Sequence, residues 1–493
     1  MTMFKKIDDL TLLVEQAYID GQWVDAADGS TLEVTNPANG NWIGRVPNMG
    51  ARETSQAIKA ANCAFPVWRA KTAAERARIL RRWKELILIH QVDLALLITR
   101  EQGKPLHESC AEISFAASLV EWFAEEAIRV YESNIFENQL DKRILTTREP
   151  IGVCAVVTSW NFPASMVVRK AGSALAAGCS IVLKPSSQTP FSAIALCKLA
   201  EEAGIPKGVF NLVTGDAKAI AGELAANQRV RKLTFSGSAE VGKKLMEKCV
   251  DSVKKVSLEL GGNAPFIVFE DADLDQAVAG VLAAKFRNAG QASVCANRIL
   301  VQDSVYDTFA EKLVAAVNQL QVGDGMEPGV DLGPLIDMAT LEKVEDHVED
   351  ALAKGAQRLS GGQRDPLGGS FFQPTVLGNV TSEMLVTYEE TFGPVAPLFQ
   401  FKDEAEAISM ANDTEYGLAA YIFSSDISCI RRVSEALESG IVGINTGTID
   451  SEKVPFGGIK ESGISNDGSK YGIDDFLNVK YLCVGGAGRG IAG

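Results

Sequence analysis

The spacing of hydrophobic positions changes character several times along this chain. Across 15–46 the apolar runs are short and broken by Gly21, Asp28-Gly29 and Pro37-Ala38-Asn39-Gly40, a pattern of strands and turns. From 51 to 132 the period lengthens. Ala57, Ala60, Ala61 and Ala64, then Ile79, Trp83, Leu86 and Ile87, recur at helical spacing. A strand edge follows at 144–148 and is ended by Glu149-Pro150. Beyond Pro150, strand-like runs at 151–158, 180–183, 208–213, 232–235, 255–259 and 266–269 surround helical stretches at 164–177, 191–203, 217–226 and 239–249. This alternation predicts βαβ units on a parallel sheet covered on both faces, a doubly wound α/β arrangement. Gly261-Gly262 and Gly457-Gly458 bracket a second α/β region, with helices at 273–286, 304–320 and 340–354 and a strand at 421–423. The run 476–483 alternates apolar and polar residues like an edge strand, and the Gly- and Ala-rich stretch 485–493 reads as a flexible tail.

Composition narrows the class. The 493 residues are 46% hydrophobic and 23% charged, which excludes a disordered chain, a collagen and a coiled coil. With 48 basic and 63 acidic residues the net charge is −15, so neither nucleic acid nor an anionic membrane surface is an expected partner. The nine cysteines are scattered without a CxxC pair, which fits free thiols in a reducing compartment. Three distant histidines supply neither a metal site nor a Ser-His-Asp triad, and no metal is expected. The first ten residues lack the apolar core of a signal peptide. No uncharged apolar run reaches the ~18–20 residues that span a bilayer, so the expected location is cytoplasmic.

Four segments carry candidate chemistry. Phe235-Ser236-Gly237-Ser238 closes a strand and opens a helix, where backbone N–H groups either bind an anion or simply make a β–α turn. Lys184-Pro185-Ser186-Ser187 closes another strand; Lys184 stands either at the ligand-binding edge of a parallel sheet or on the surface before a turn. Glu259-Leu260-Gly261-Gly262 offers a carboxylate that acts as a base if it is half-buried and is merely solvated if it is not. The run of small polar groups at 286–295 is the most unusual segment, with a plain helix end and loop as its alternative.

Taken together these segments resemble the aldehyde dehydrogenase superfamily, over nearly the whole chain. The motifs are Ser159-Trp160-Asn161-Phe162-Pro163, Lys184-Pro185, Phe235-Ser236-Gly237-Ser238, Leu258-Glu259-Leu260-Gly261-Gly262, Glu390-Thr391-Phe392-Gly393-Pro394 and Pro455-Phe456-Gly457-Gly458-Ile459-Lys460. The chain looks most like the succinate-semialdehyde dehydrogenase branch, through Met166-Val167-Val168-Arg169-Lys170, Lys285-Phe286-Arg287-Asn288-Ala289-Gly290-Gln291 and Gly468-Ser469-Lys470-Tyr471-Gly472-Ile473. The resemblance implies a Rossmann-type NAD(P)-binding domain over 1–133 and 153–262 and an α/β catalytic domain over 263–474. It also implies a small β oligomerisation extension over 134–152 and 475–488, with 489–493 as the flexible tail and a homotetramer or dimer as the assembly.

The implied reaction oxidises a small acidic aldehyde with NADP or NAD. A thiolate attacks the carbonyl, Asn161 and a backbone N–H hold the oxyanion, and hydride leaves for the nicotinamide. Glu259 then activates water to hydrolyse the thioester. The resemblance assigns Trp160, Lys184, Ser236, Ser238, Glu390 and Phe392 to the cofactor, with Lys184 on the adenosine ribose and Glu390 on the nicotinamide ribose. Ser187, three residues after Lys184, stands where many NAD-preferring relatives have a glutamate that repels a 2′-phosphate, so NADP is expected to be accepted. Arg169 and Arg287 match the two arginines that hold the remote acid group.

The chain also departs from the family. Ser293 occupies the nucleophile position two residues after Gln291, and Cys295 lies two residues further on. A hydroxyl is a far weaker acid than a thiol, so the chain as written is expected to bind cofactor and aldehyde but turn over poorly. Two explanations stand: a deliberate Cys→Ser exchange that traps substrate, or a natural homologue that binds only or uses serine. Asp450, beside Ser451, takes the place of a serine in the substrate loop, and Ser462-Gly463-Ile464-Ser465-Asn466-Asp467 departs from the usual run. Asp450 and Ser451 join the candidate substrate residues. A sulfolactaldehyde or longer-semialdehyde dehydrogenase is the alternative substrate reading, and a catalytically dead ligand-binding homologue the alternative class.

Overall fold

The computed structural model describes residues 7, 9–130, 133–135 and 142–485; the expected tail at 489–493 lies outside them. Two large sheets organise the chain. The first has eight strands in the order Gln22–Val24, Ala17–Ile19, Phe210–Leu212, Ser180–Lys184, Val153–Val157, Val230–Ser236, Lys255–Glu259 and Gly463–Ile464. The five strands from Phe210–Leu212 to Lys255–Glu259 run parallel. Val153–Val157 and Ser180–Lys184 are buried along their whole length, as a sheet covered on both faces requires.

One face is covered by Ala51–Arg69, Ala217–Ala226 and Ala239–Cys249, whose small apolar residues Ala57, Ala61, Ile220 and Leu245 fill a core of their own. A larger core on the other face packs Ala73–Ile89, Leu106–Ile128, Ser165–Ala177 and Pro190–Glu202 around Trp83, Phe123 and Phe191. The helical periodicity read across 51–132 therefore resolves into four helices, three of which lie in this layer.

The second sheet has seven strands in the order Gln357–Ser360, Thr375–Gly378, Val395–Phe401, Ala296–Gln302, Ala264–Val268, Ala419–Phe423 and Ile441–Ile444. All its pairings are parallel except that of the edge strand Gln357–Ser360. A third core, with Phe266, Tyr421 and Phe423, belongs to this half. The chain then returns: Gly463–Ile464 pairs with Leu258 and Glu259 of the first sheet, and Ser469–Asp474 packs on Leu106–Ile128 and Ser165–Ala177. The edge strand expected near 476–483 is Leu477–Gly485, antiparallel to Lys142–Pro150, which in turn pairs with Ser133–Ile135.

One predicted helix differs in form. The stretch expected to be helical over 273–286 is an α-helix only at Leu274–Val281, then widens into a π turn at Leu282–Phe286. Ala283 to Phe286 keep a helical hydrophobic pattern, so their sequence carries no mark of the wider turn. Among the described residues, no helix is long and apolar enough to cross a membrane and no three His, Cys, Asp or Glu side chains cluster as metal ligands.

Candidate active site

Four of the expected site residues lie at or just beyond the carboxyl ends of neighbouring parallel strands. Lys184, Ser236 and Glu259 each end their strand, and Asn161 follows Val153–Val157 by four residues. The register sets Val157 beside Lys184 and Ser236 beside Glu259. This is the edge at which open parallel sheets bind ligands.

The second half brings a tightly constrained loop to that edge. After the π turn, Asn288, Ala289 and Gly290 take positive φ values of 51, 53 and 76°. Any Cβ on Gly290 would lie 2.1 Å from the Gly393 carbonyl oxygen, so only glycine lets this loop close on the segment bearing Phe392. Gln291 then locks the loop: its Oε1 accepts from the Ile336 N–H at 2.9 Å, and its Nε2 donates to the Asn288 carbonyl at 3.0 Å. Ser293 emerges half-buried between buried neighbours. A Cβ on Gly262 would stand 2.3 Å from the Ser293 carbonyl oxygen and one on Gly261 2.6 Å from Glu390 Oε2, which explains the glycine pair after Glu259.

Ser293 and Met166 line two cavities that meet at them. The larger, about 400 Å³, is bounded by Trp160, Asn161, Ser236, Ser238, Glu259, Glu390 and Phe392. The smaller, about 220 Å³, is bounded by Phe115, Phe162, Arg169, Arg287, Asp450 and Phe456. None of the nine cysteines and none of the three histidines lines either cavity. The Cys295 thiol turns away, donating to the Lys285 carbonyl at 3.8 Å, and burial raises it above the ordinary thiol range.

Asn161 is held in place from both sides. Its Nδ2 donates to the Gln291 carbonyl at 3.0 Å and its Oδ1 accepts from Ser159 at 2.7 Å. Its backbone carbonyl accepts from Lys104 Nζ at 2.6 Å and Asn288 Nδ2 at 3.0 Å. Lys104 also pairs with Glu112 at 2.8 Å, so a buried ion pair fixes the turn that carries Asn161. No sequence motif singled out Lys104 or Glu112.

Glu259 is buried, and neither carboxyl oxygen has a hydrogen-bond partner among the described residues. Burial and then the neighbouring Asp467 carboxylate raise it well above the ordinary range, against the opposing charges of Lys170 and Arg169. Lys170 Nζ lies 3.9 Å from Glu259 and donates to Asp467 at 2.8 Å. Glu390 accepts from the Gly262 N–H at 3.1 Å, and burial pushes it up to about 7. Phe392 takes φ 55° and meets Trp160 edge to face, with ring centres 5.5 Å apart.

Lys184 and Ser187 lie beyond the larger cavity, one strand further along the sheet edge. Burial pushes Lys184 down to about 8, and the acid acting on it is Asp216. Ser187 donates to the Gly215 carbonyl at 3.3 Å. Ser238 caps the helix Ala239–Cys249, while the buried Ser236 hydroxyl has no partner among the described residues.

In the smaller cavity the two arginines differ. Arg287 donates to Asp450 Oδ2 at 2.5 Å and faces Phe162. Arg169 is 3% exposed and stands 4.1 Å from the Phe456 ring centre, with no hydrogen bond from Nε or Nη1 among the described residues. Ser451 does not line this cavity; its hydroxyl accepts from the Lys453 N–H.

The arrangement brings the Ser293 hydroxyl, the Asn161 amide and the buried Glu259 carboxyl to one cleft. The aldehyde dehydrogenase family model matches residues 23–482. The chain belongs to the aldehyde dehydrogenase family. It is 61% identical to the NADP(+) succinate-semialdehyde dehydrogenase of Escherichia coli K12, over 97% of this chain and 100% of that one. It is 59% identical to the glutarate-semialdehyde dehydrogenase of Pseudomonas aeruginosa, over 98% and 100%. It is 57% identical to the 3-sulfolactaldehyde dehydrogenase of Pseudomonas putida, again over 98% and 100%. A crystal structure of an NADP-dependent E. coli enzyme superposes with a TM-score of 0.97 at 61% identity, covering 97% of this chain and 100% of that one. The NAD+ complex of Staphylococcus aureus betaine aldehyde dehydrogenase superposes at 0.95 with 35% identity, covering 98% and 97%. The aldehyde dehydrogenase fold expected from the motifs is therefore the fold of this chain.

Proposed function

We propose that this aldehyde dehydrogenase acts on a small aldehyde with a remote acid group, converting it to the carboxylic acid with NADP or NAD as the oxidant. The observation that carries the reading is the place of Ser293, at the neck between a cleft bounded by Glu390 and Phe392 and a pocket bounded by the unpartnered Arg169. The residues fit a dinucleotide. The Ser236 hydroxyl is buried without a partner, and Lys184 is a buried cation without an ion pair among the described residues. Glu390, Phe392 and Trp160 would flank the nicotinamide end; Ser236 and Ser238 would face the pyrophosphate and Lys184 the adenosine ribose. When bound, the cofactor accepts hydride from the substrate carbon. Ser187 carries no charge against a 2′-phosphate, which favours NADP acceptance beside NAD.

The chain's own groups do the rest. Arg169 takes the remote acid group and turns the aldehyde carbon toward residue 293. The second N–H of Asn161 Nδ2, with the N–H of residue 293, stabilises the developing oxyanion. Glu259 removes a proton from the water that hydrolyses the acyl group, a task suited to a carboxylate whose affinity for a proton is raised. Ser293 weakens the first step, because no base is hydrogen-bonded to its hydroxyl among the described residues and serine has no thiolate-like reserve.

Succinate semialdehyde leads the substrate reading on family likeness, with glutarate semialdehyde and 3-sulfolactaldehyde as its rivals. The strand Leu477–Gly485 exposes Val479, Tyr481 and Val484, an apolar edge suited to a second copy in a dimer or tetramer. The test is Ser293→Cys, assayed for NADPH and NADH formation on these three aldehydes. Roughly 100-fold or greater gain over the parent chain is expected on at least one, since a thiol supplies a few per cent thiolate at neutral pH. A Ser293→Cys protein that binds NADP yet oxidises none of them overturns the reading.

A further inference from the structure

The smaller cavity holds more charge than a simple acid needs, and the charges are not equivalent. Arg287 is spent on Asp450 Oδ2 at 2.5 Å. Burial works against Asp450, but the Arg287 charge wins and keeps it ionised. Glu112 is spent on Lys104, and Glu108 accepts from the Asn288 N–H at 3.0 Å while burial favours its neutral form. Arg169 has no ion pair or hydrogen bond from Nε or Nη1 among the described residues and stands near the Phe456 and Phe115 rings, whereas the Arg287 charge is already balanced by Asp450. Asp450 lines the same cavity, and its second oxygen, Oδ1, has no hydrogen-bond partner among the described residues.

Such a pocket has one site for an anion and one strong acceptor, set between apolar walls of Phe115, Phe162 and Phe456. A ligand with only a carboxylate satisfies the first and leaves the second desolvated and unmet, which costs affinity. A ligand with a hydroxyl between its acid group and its aldehyde meets both. Two acid groups, or a doubly charged one, would set a charge against Asp450.

We propose that Asp450 determines substrate specificity: by occupying Arg287 it leaves Arg169 as the anion anchor, and its Oδ1 receives a hydroxyl of the substrate. The preferred aldehyde is a hydroxylated monoanion, carboxylate or sulfonate. This rests on the semialdehyde reading above and narrows it, moving the weight from succinate semialdehyde to a hydroxy-aldehyde acid.

The test uses matched pairs that differ only in the hydroxyl: 3-sulfolactaldehyde against 3-oxopropanesulfonate, and 3-hydroxy-4-oxobutanoate against succinate semialdehyde. Binding to the full Ser293 chain is measured by calorimetry, with NADP titrated separately to confirm the fold of every variant. The hydroxylated member should bind about 10-fold or more tightly in both pairs, as expected for a hydrogen bond to a charged acceptor. In Asp450→Ser the ratio should fall toward 1, because the carboxylate that accepts the hydroxyl is gone, while both members gain from the released Arg287. A preference confined to the sulfonate pair, equal binding in the parent chain, or a ratio that persists in Asp450→Ser overturns the proposal. If Asp450→Ser loses NADP binding, Asp450→Asn replaces it and should weaken the ratio while raising affinity for both members; unchanged values overturn the proposal equally. Turnover by Ser293→Cys is a separate measurement. Its failure would sink the dehydrogenase reading without touching the binding ratio.

Discussion

Arg169→Met separates a binding arginine from a structural one, because the two readings predict opposite signs. Arg169 is 3% exposed, and two of its nitrogens have no partner among the described residues. Unsatisfied buried donors cost about 1–3 kcal/mol each, so these two cost about 2–6 kcal/mol. Stacking on Phe456 and Phe115 returns about 0.5–2 kcal/mol per ring, about 1–4 kcal/mol in all, so the midpoints leave a net penalty on the order of 1.5 kcal/mol. Methionine keeps the apolar contacts and removes the charge, so the variant should be more stable. With an unfolding entropy of ~2.1 cal/mol/K per residue, a chain of 493 residues gains about 1.5 °C in Tm.

The same change removes the anion anchor. Two charge-assisted bonds are worth about 3–6 kcal/mol gross, and after the cost of stripping water from the acid about 2–4 kcal/mol remains. Affinity for succinate semialdehyde should therefore fall roughly 30- to 700-fold, while a neutral aldehyde of equal length binds as before. Calorimetric titration and a thermal scan on one preparation test both halves. Unchanged semialdehyde affinity, or a lowered Tm with equal losses for acidic and neutral aldehydes, would make Arg169 a structural residue and refute the argument.

Other outcomes follow from the same geometry. In a Ser293→Cys background, Asn161→Ala should lower kcat by about 10²- to 10³-fold with little change in aldehyde affinity, as loss of one oxyanion donor does; steady-state kinetics would read this directly. Asp467 is a positioning residue for Glu259. Its carboxylate raises the Glu259 pKa, so Asp467→Asn removes a like charge and shifts the rising limb of the pH–rate profile to lower pH, whereas a merely structural role would lower the rate without moving that limb. Ser187→Glu should weaken NADP binding about 10-fold or more while sparing NAD, since it sets a carboxylate against the 2′-phosphate beside Lys184; equal affinities before and after, by fluorescence titration, would remove Ser187 from the cofactor site.

Much of the architecture was legible in the hydrophobic pattern, because short apolar runs and helical spacing report local burial. The helices Ala217–Ala226 and Ala239–Cys249 and the strand Lys255–Glu259 occur where that pattern puts them. The return of Gly463–Ile464 to the first sheet was not legible, since two residues carry no periodicity. Nor was the anchoring of Asn161 by Lys104 and Glu112, whose partners are 57 and 8 residues from Lys104 in sequence.

The amino-acid order by itself determined that strands end in Lys184, Ser236 and Glu259, that glycines follow Glu259 and precede Gln291, and that residue 293 is a serine. Each is a local property, set by residue type and period. Tertiary structure alone decided what those groups experience. Glu259 is raised by burial and then by Asp467, 208 residues later, which is folded back beside it by the antiparallel pairing of Gly463 with Glu259. Asp450 hydrogen-bonds Arg287, while Arg169 has no hydrogen bond from Nε or Nη1 among the described residues. Burial and pairing depend on distances between chain segments far apart in sequence, and at this site those distances give one of two arginines a carboxylate partner and leave the other stacked on a phenylalanine.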